Sequence, residues 1–159
     1  MPSPLDKLTI PRELVFEFFA IFARMEYALK LVPRFRRPGN GDAKANWTAF
    51  ANEIAPNFAP TGNQQLRDAV QYLTVPGLRY YSVVADVLDW HPFPVAGDTE
   101  ALRTINLIKQ LRNNLFHGAK FAQDPNSNPD RERKLVELSI VLLEHMLGLS
   151  PDVRVAYEN

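Results

Sequence analysis

The sequence predicts an all-α fold, an up-and-down helical bundle of four to five helices, on three observations. Apolar residues recur at three- and four-residue steps through most of the long windows. The 13 prolines, about 8% of the chain against an average near 5%, cluster at the edges of those windows. Proline lacks an amide proton and clashes with the preceding turn, so proline-free stretches are where helices can form. Finally, the 159 residues are 46% hydrophobic and 23% charged, an ordinary globular composition that can bury a core without staples. One domain over 1–150 followed by a tail, 151–159, is the expected organisation.

The first helix is expected to start at Thr9-Ile10-Pro11, a cap with proline in the first turn. It continues on Leu14, Phe18, Ile21, Phe22, Met25, Leu29 and Val32 and stops before Pro33. Arg34 to Gly41 reads as a loop from its Pro, Gly and Asn content. Asn46 precedes a short helix on Trp47, Phe50, Ala51 and Ile54 that Pro56 halts, and Thr61 is the expected cap of a third, with Leu66, Ala69, Val70 and Leu73 on one face. Residues 77–91 read as irregular, with a short strand pair as the alternative, because Leu78 to Val84 is β-rich while Val84, Val87 and Leu88 also fit a helical stripe. Asp98 or Thr99 caps the next helix, whose Leu102, Ile105, Ile108, Leu111 and Leu115 form a stripe ended by Gly118. A last helix follows Asn128-Pro129 on Leu135, Leu138, Leu142 and Met146. Val136, Val141 and Leu143 widen its apolar coverage, as a central or interface position requires. The tail from Pro151 lacks periodicity and reads as mobile or docked at an edge.

Several function classes are excluded by composition. The absence of cysteine removes disulfides, Cys-ligated zinc, iron–sulfur clusters and thiol nucleophiles, and suits a reducing cytoplasm. The opening MPSPLDKLTI resembles neither a signal nor a transit peptide, and no window approaches the roughly 18 to 20 apolar residues of a membrane span, so a cytoplasmic protein without a membrane partner is expected. Eighteen Lys plus Arg balance eighteen Asp plus Glu, so no global field draws the chain to nucleic acid. A phosphate-binding glycine loop, a nucleophile elbow and an HExxH motif are all missing, and Asp86 and Asp89 alone do not make a metal site. No metal and no cofactor is expected.

The remaining chemistry gathers around Leu111-Arg112-Asn113-Asn114-Leu115-Phe116-His117-Gly118. His91 reads as surface packing beside Trp90 and Pro92, and His145 as a cation favoured at a helix C-terminus. At about 100° per residue, Asn113 and His117 project within about 40° of each other, and Arg112 within about 140° of His117. One helix end can thus offer a cation, an amide and an imidazole, or Arg112 is a solvated charge and His117 an ordinary residue before a capping glycine. Spacing alone leaves both readings open.

The string from Arg112 to His117 resembles the signature of HEPN domains (higher eukaryotes and prokaryotes nucleotide-binding), an arginine followed four to six positions later by a histidine. With Phe22 to Lys30 and Trp47 to Ala51, it is similar to a bacterial stand-alone subgroup, over roughly residues 12 to 147. This resemblance implies a metal-independent endoribonuclease with its site at a two-fold homodimer interface, acting as a toxin or phage-defence effector beside an antitoxin protein. It implies catalytic roles for Arg112, His117 and Asn113, with Asn114, Lys109, Lys120 and Glu26 as substrate contacts. Position 119, where some family members carry a modifiable tyrosine, is Ala119 here. A catalytically inactive module that binds RNA, nucleotide or protein is the alternative.

Glu26 is either a neighbour of the site or the partner of Lys30 at i, i+4. Lys30, Arg34, Arg36, Arg37 and Lys44 outnumber Asp42 in one segment, and Arg103, Lys109, Arg112 and Lys120 lie around the motif; these form either a basic rim or solvated faces. Tyr80, Tyr81 and Trp90 either stack on bases or pack.

Overall fold

The computed structural model describes residue 6 and residues 8–59, 62–116 and 128–159. Among them are six α-helices and one antiparallel hairpin: α1 (Arg12–Leu31), α2 (Trp47–Phe58), α3 (Gln64–Thr74), β1 (Arg79–Val84), β2 (Val87–Pro92), α4 (Glu100–Phe116), α5 (Pro129–Gly148) and α6 (Pro151–Glu158). The fold is mostly helical, but it exceeds a purely helical bundle of four to five helices by the hairpin and by α6.

The core is built around α1, which buries Phe18, Phe22, Met25, Ala28 and Leu29 and packs on α5 and α6, while α2 packs on α4 and α3 on α5. A 3-10 turn over Pro33–Phe35 ends α1, where proline denies the next amide to the ladder. Thr9 does not cap α1. Its hydroxyl donates to Glu132 Oε2 at 2.9 Å, serving a carboxylate on α5 that is only 5% exposed and costly to leave without donors.

Side-chain caps start α2, α3, α4 and α5. Asn46 accepts from Ala49 N at 3.1 Å, Asn63 from Leu66 N at 3.3 Å, Thr99 from Leu102 N at 3.1 Å, and Asn128 from the amides of Asp130 and Arg131, both at 3.1 Å. The cap of α3 is therefore Asn63; Thr61, Gly118 and Lys120 lie outside the described residues. Pro56 sits inside α2 rather than ending it. Pro56 gives up one helical amide bond, and the two residues beyond it bury Phe58 in the core.

Residues 79–92 form the strand pair, in the register Tyr80↔His91 and Ser82↔Asp89. Ala85 (φ 49°) and Asp86 (φ 62°) turn the chain in two left-handed residues, matching the twist of the strands. Asp89 Oδ1 accepts from its neighbour Trp90 N at 2.7 Å. Tyr81 and Trp90 pair their rings across the strands at 5.3 Å, and Tyr80 meets Phe93 edge-on at 5.9 Å.

The segment read as a tail is helical. Its eight residues carry a single fully buried anchor, Val153, too little for a periodic signal. Both its ends are tied down: Arg34 Nη1 meets Asp152 at 2.7 Å, and Arg24 Nε donates to the carbonyl of Tyr157 at 2.8 Å. Among the described residues no helix is long and apolar enough to cross a membrane.

Candidate functional site

The core face of α4 is set by Ala101, Thr104, Ile105, Leu107, Ile108, Leu111, Asn114 and Leu115, all buried. What remains toward the C-terminal end is an outward face carrying Lys109, Arg112, Asn113 and Phe116, which share an arc of about 100° by helical geometry. Three of the residues expected at a site thus stand on one face because the core took the others.

Arg112 is held by aromatic packing. Its guanidinium lies 5.0 Å from the centre of the Phe22 ring, and Phe22 stacks in turn on Trp47 at 5.1 Å. Arg112 Nε is buried and has no hydrogen-bond partner, and no carboxylate among the described residues pairs with the side chain. A cation–π contact orients a guanidinium without neutralising it, so the charge stays available to an anion. An unsatisfied buried donor of this kind calls for a ligand or water.

Lys109 lies one turn earlier. Burial, and then the positive charges of Arg37 and Arg112, lower its pKa, against a weaker opposing pull from Glu26. Glu26 is partly occupied by Lys30, with Nζ and Oε1 3.9 Å apart. Both readings of Glu26 therefore describe its position: it pairs with Lys30 and stands beside the α4 cations. Because Lys109 is harder to protonate in the folded chain than in the unfolded one, its charge destabilises the fold below the lowered pKa. That cost is relieved as pH rises toward the ordinary lysine range. Lys109→Met is accordingly expected to raise Tm by about 1–2 °C at neutral pH, which thermal denaturation in anion-poor buffer checks.

The basic segment divides. Arg34 is bound by Glu53, at 2.7 and 2.9 Å, and by Asp152; both partners raise its pKa, and Arg34 in turn lowers that of Glu53. Arg37 lies near enough to Lys109 for its charge to lower the lysine pKa, as that of Arg112 does. Arg103 donates to the carbonyl of Gly97 at 2.9 Å and borders a different hollow, against α3.

Asn114 is buried between elements. Its Nδ2 donates to the carbonyl of Arg79 at 2.8 Å and its Oδ1 accepts from Gln110 at 2.7 Å, so its amide joins α4 to β1. Asn113 stands half-buried on the outward face. His117 and Lys120 lie outside the described residues. Phe116 is 67% exposed and touches Phe19 edge-on at 6.1 Å, placing an aromatic ring beside the cations. The motif contained Phe116, and its spacing from Arg112 marked the shared face, yet an apolar residue in an apolar helix carries no separate signal.

The other histidines differ from expectation in one respect. His145 packs on Phe58 at 5.9 Å, and burial lowers its pKa, so desolvation outweighs the helix end that would favour its cation. His91 is half-buried on β2, with Nε2 lacking a hydrogen bond. Among the described residues no group of three or more His, Asp or Glu side chains is placed to hold a metal ion.

Compared with known proteins, the chain matches no family model, no curated protein and no solved structure.

Proposed function

We propose that the outward face of α4 is an RNA-cutting site of the HEPN type, in which Arg112 and His117 act without an obligatory metal. The observation that carries this reading is the state of Arg112: oriented over Phe22, without a carboxylate, and beside a second cation. Arg24, Arg34 and Arg131 also lie over aromatic rings; Arg112 differs in that its buried Nε has no hydrogen-bond partner.

In-line attack of a ribose 2′-OH on the adjacent phosphorus forms the 2′-O–P bond and breaks the P–O5′ bond. His117 takes the 2′ proton or returns one to the departing 5′ oxygen, for which an imidazole pKa near neutrality is suited. Arg112 binds the phosphate oxygens as charge builds on them, and Asn113 orients the substrate or the imidazole. The products are a 2′,3′-cyclic phosphate and a 5′-OH. Asn114 acts through position, by fixing α4 to the hairpin.

Exposed Phe16, Tyr27 and Leu31 run along one side of α1, next to the Glu26 and Lys30 edge by helical geometry. An apolar stripe of this kind supports a homodimer that brings two such faces to one cleft. In a cell, a site of this type makes the protein a toxin or phage-defence effector, restrained by an antitoxin partner, and its expression is expected to slow growth.

The test is incubation of purified protein with single-stranded RNA, with and without EDTA. Cleavage should persist in EDTA and vanish when the ribose 2′-OH groups are methylated. Loss of cleavage with EDTA would contradict the metal-free mechanism, and RNA that is bound but left intact would assign the face to a non-catalytic binding module.

A further inference from the structure

Resting on that reading, we propose that Arg37 and Lys109 form a second phosphate subsite beside Arg112, which grips the backbone phosphate next to the scissile one that Arg112 holds. Arg37 belongs to none of the motif residues, and the chain brings it to the site by a built path. Phe35, 1% exposed, anchors the start of the loop with its ring edge-on to Phe50 at 5.5 Å. The loop then closes on itself: Asn46 N donates to the Phe35 carbonyl at 2.7 Å, Arg36 pairs with Ala45 as an antiparallel bridge, and Arg37 N donates to the Lys44 carbonyl at 2.8 Å. Arg37 therefore sits on a clamped rung rather than at the loop tip.

The far end of the loop leads directly into Trp47, whose ring stacks on Phe22 beneath Arg112. This stack ties the loop base to Arg112. Among the charged neighbours of Lys109, Arg37 exerts the largest effect, ahead of Arg112 on the same helix. Three cations so placed, with Glu26 shared with Lys30, repel one another until an anion arrives. A guanidinium fork and an ammonium fit the tetrahedral oxygens of one phosphate, while Arg112 holds the next. The nearby Arg34 cannot serve, being committed to Glu53 and Asp152.

The probe is a fluorescein-labelled 2′-O-methyl oligoribonucleotide, which cannot be cut by 2′-OH attack. Arg37→Gln should weaken its binding about five- to tenfold and reduce the salt slope by about 0.7, as loss of one single-strand phosphate contact requires. Arg103→Gln, which removes a cation on another face, should change neither. Equal binding by wild type and Arg37→Gln, absence of binding by wild type, or displacement of the oligonucleotide by an equal concentration of inorganic phosphate would each overturn the subsite. Unmodified RNA separates the two claims. Arg37-dependent binding without cleavage would leave the subsite standing and end the ribonuclease reading; cleavage with Arg37-independent binding would do the reverse.

Discussion

Arg112→Ala lowers RNA cleavage by about a hundred- to a thousandfold while changing Tm by less than about 2 °C. The two halves of this expectation come from the same geometry. The guanidinium contacts Phe22 by its face and makes no ion pair with the described residues, so the fold loses little when it goes, whereas a developing phosphorane loses its principal cation. His117→Ala should remove about as much or more, since proton transfer by a placed group contributes about 10²–10⁴-fold. Arg112→Lys should recover only part of the rate, because an ammonium cannot make the two-pronged contact of a guanidinium. Initial rates on a single-stranded RNA, with circular dichroism melting in parallel, separate loss of chemistry from loss of fold. A Tm fall of many degrees in Arg112→Ala would make the residue structural.

Phe22→Ala carries the largest expected stability effect near the site. Phe22 is 3% exposed and packs against Phe18 at 6.3 Å and Trp47 at 5.1 Å, so its truncation costs about 3–5 kcal/mol and lowers Tm by about 10 °C. It also takes away the surface on which Arg112 lies. Phe22→Leu separates these effects. Most of the buried volume is kept at a cost of about 1 kcal/mol, but the cation–π contact is lost, so cleavage should fall up to about tenfold with the protein folded at assay temperature. Full activity in Phe22→Leu would show that Arg112 is positioned by something other than this ring.

The helices were readable where one residue type dominates locally. Phe18, Met25 and Leu29 on α1 and Ile105, Ile108 and Leu111 on α4 recur at helical spacing and are all buried, and Asn46 and Thr99 announce helix starts through side-chain caps. Where long-range contacts decided, local signals failed. Thr9 looks like a cap until the buried Glu132, 123 residues away, claims its hydroxyl. Residues 151–158 offer only Val153, Ala156 and Tyr157 at helical spacing, a stripe too short to announce a helix, and α6 is held as well by Arg24 and Arg34 reaching from other elements.

The site was legible in the same uneven way. The spacing of Lys109, Arg112 and Asn113 places them on one arc, and the buried core stripe confirms which face they occupy. Nothing local distinguishes Arg37 from Arg34, three residues earlier, although one faces the α4 cations and the other is neutralised by Glu53 and Asp152. Nor does the motif reveal that Asn114 turns inward to the Arg79 carbonyl while Asn113 stays outward. Zero net charge bounds the field of the whole molecule and argues against unspecific coating of nucleic acid. A local group of Arg37, Lys109 and Arg112 is compatible with it, since a net charge does not fix how the charges are distributed.

The most direct measurement is mass spectrometry of RNA ends after incubation with wild type, Arg112→Ala and His117→Ala. The α4 site predicts 2′,3′-cyclic phosphate and 5′-OH ends from the wild type, in the presence of EDTA, and intact RNA from both variants. Fragments ending in 5′-phosphate and 3′-OH, or the same fragments from His117→Ala as from the wild type, would contradict it.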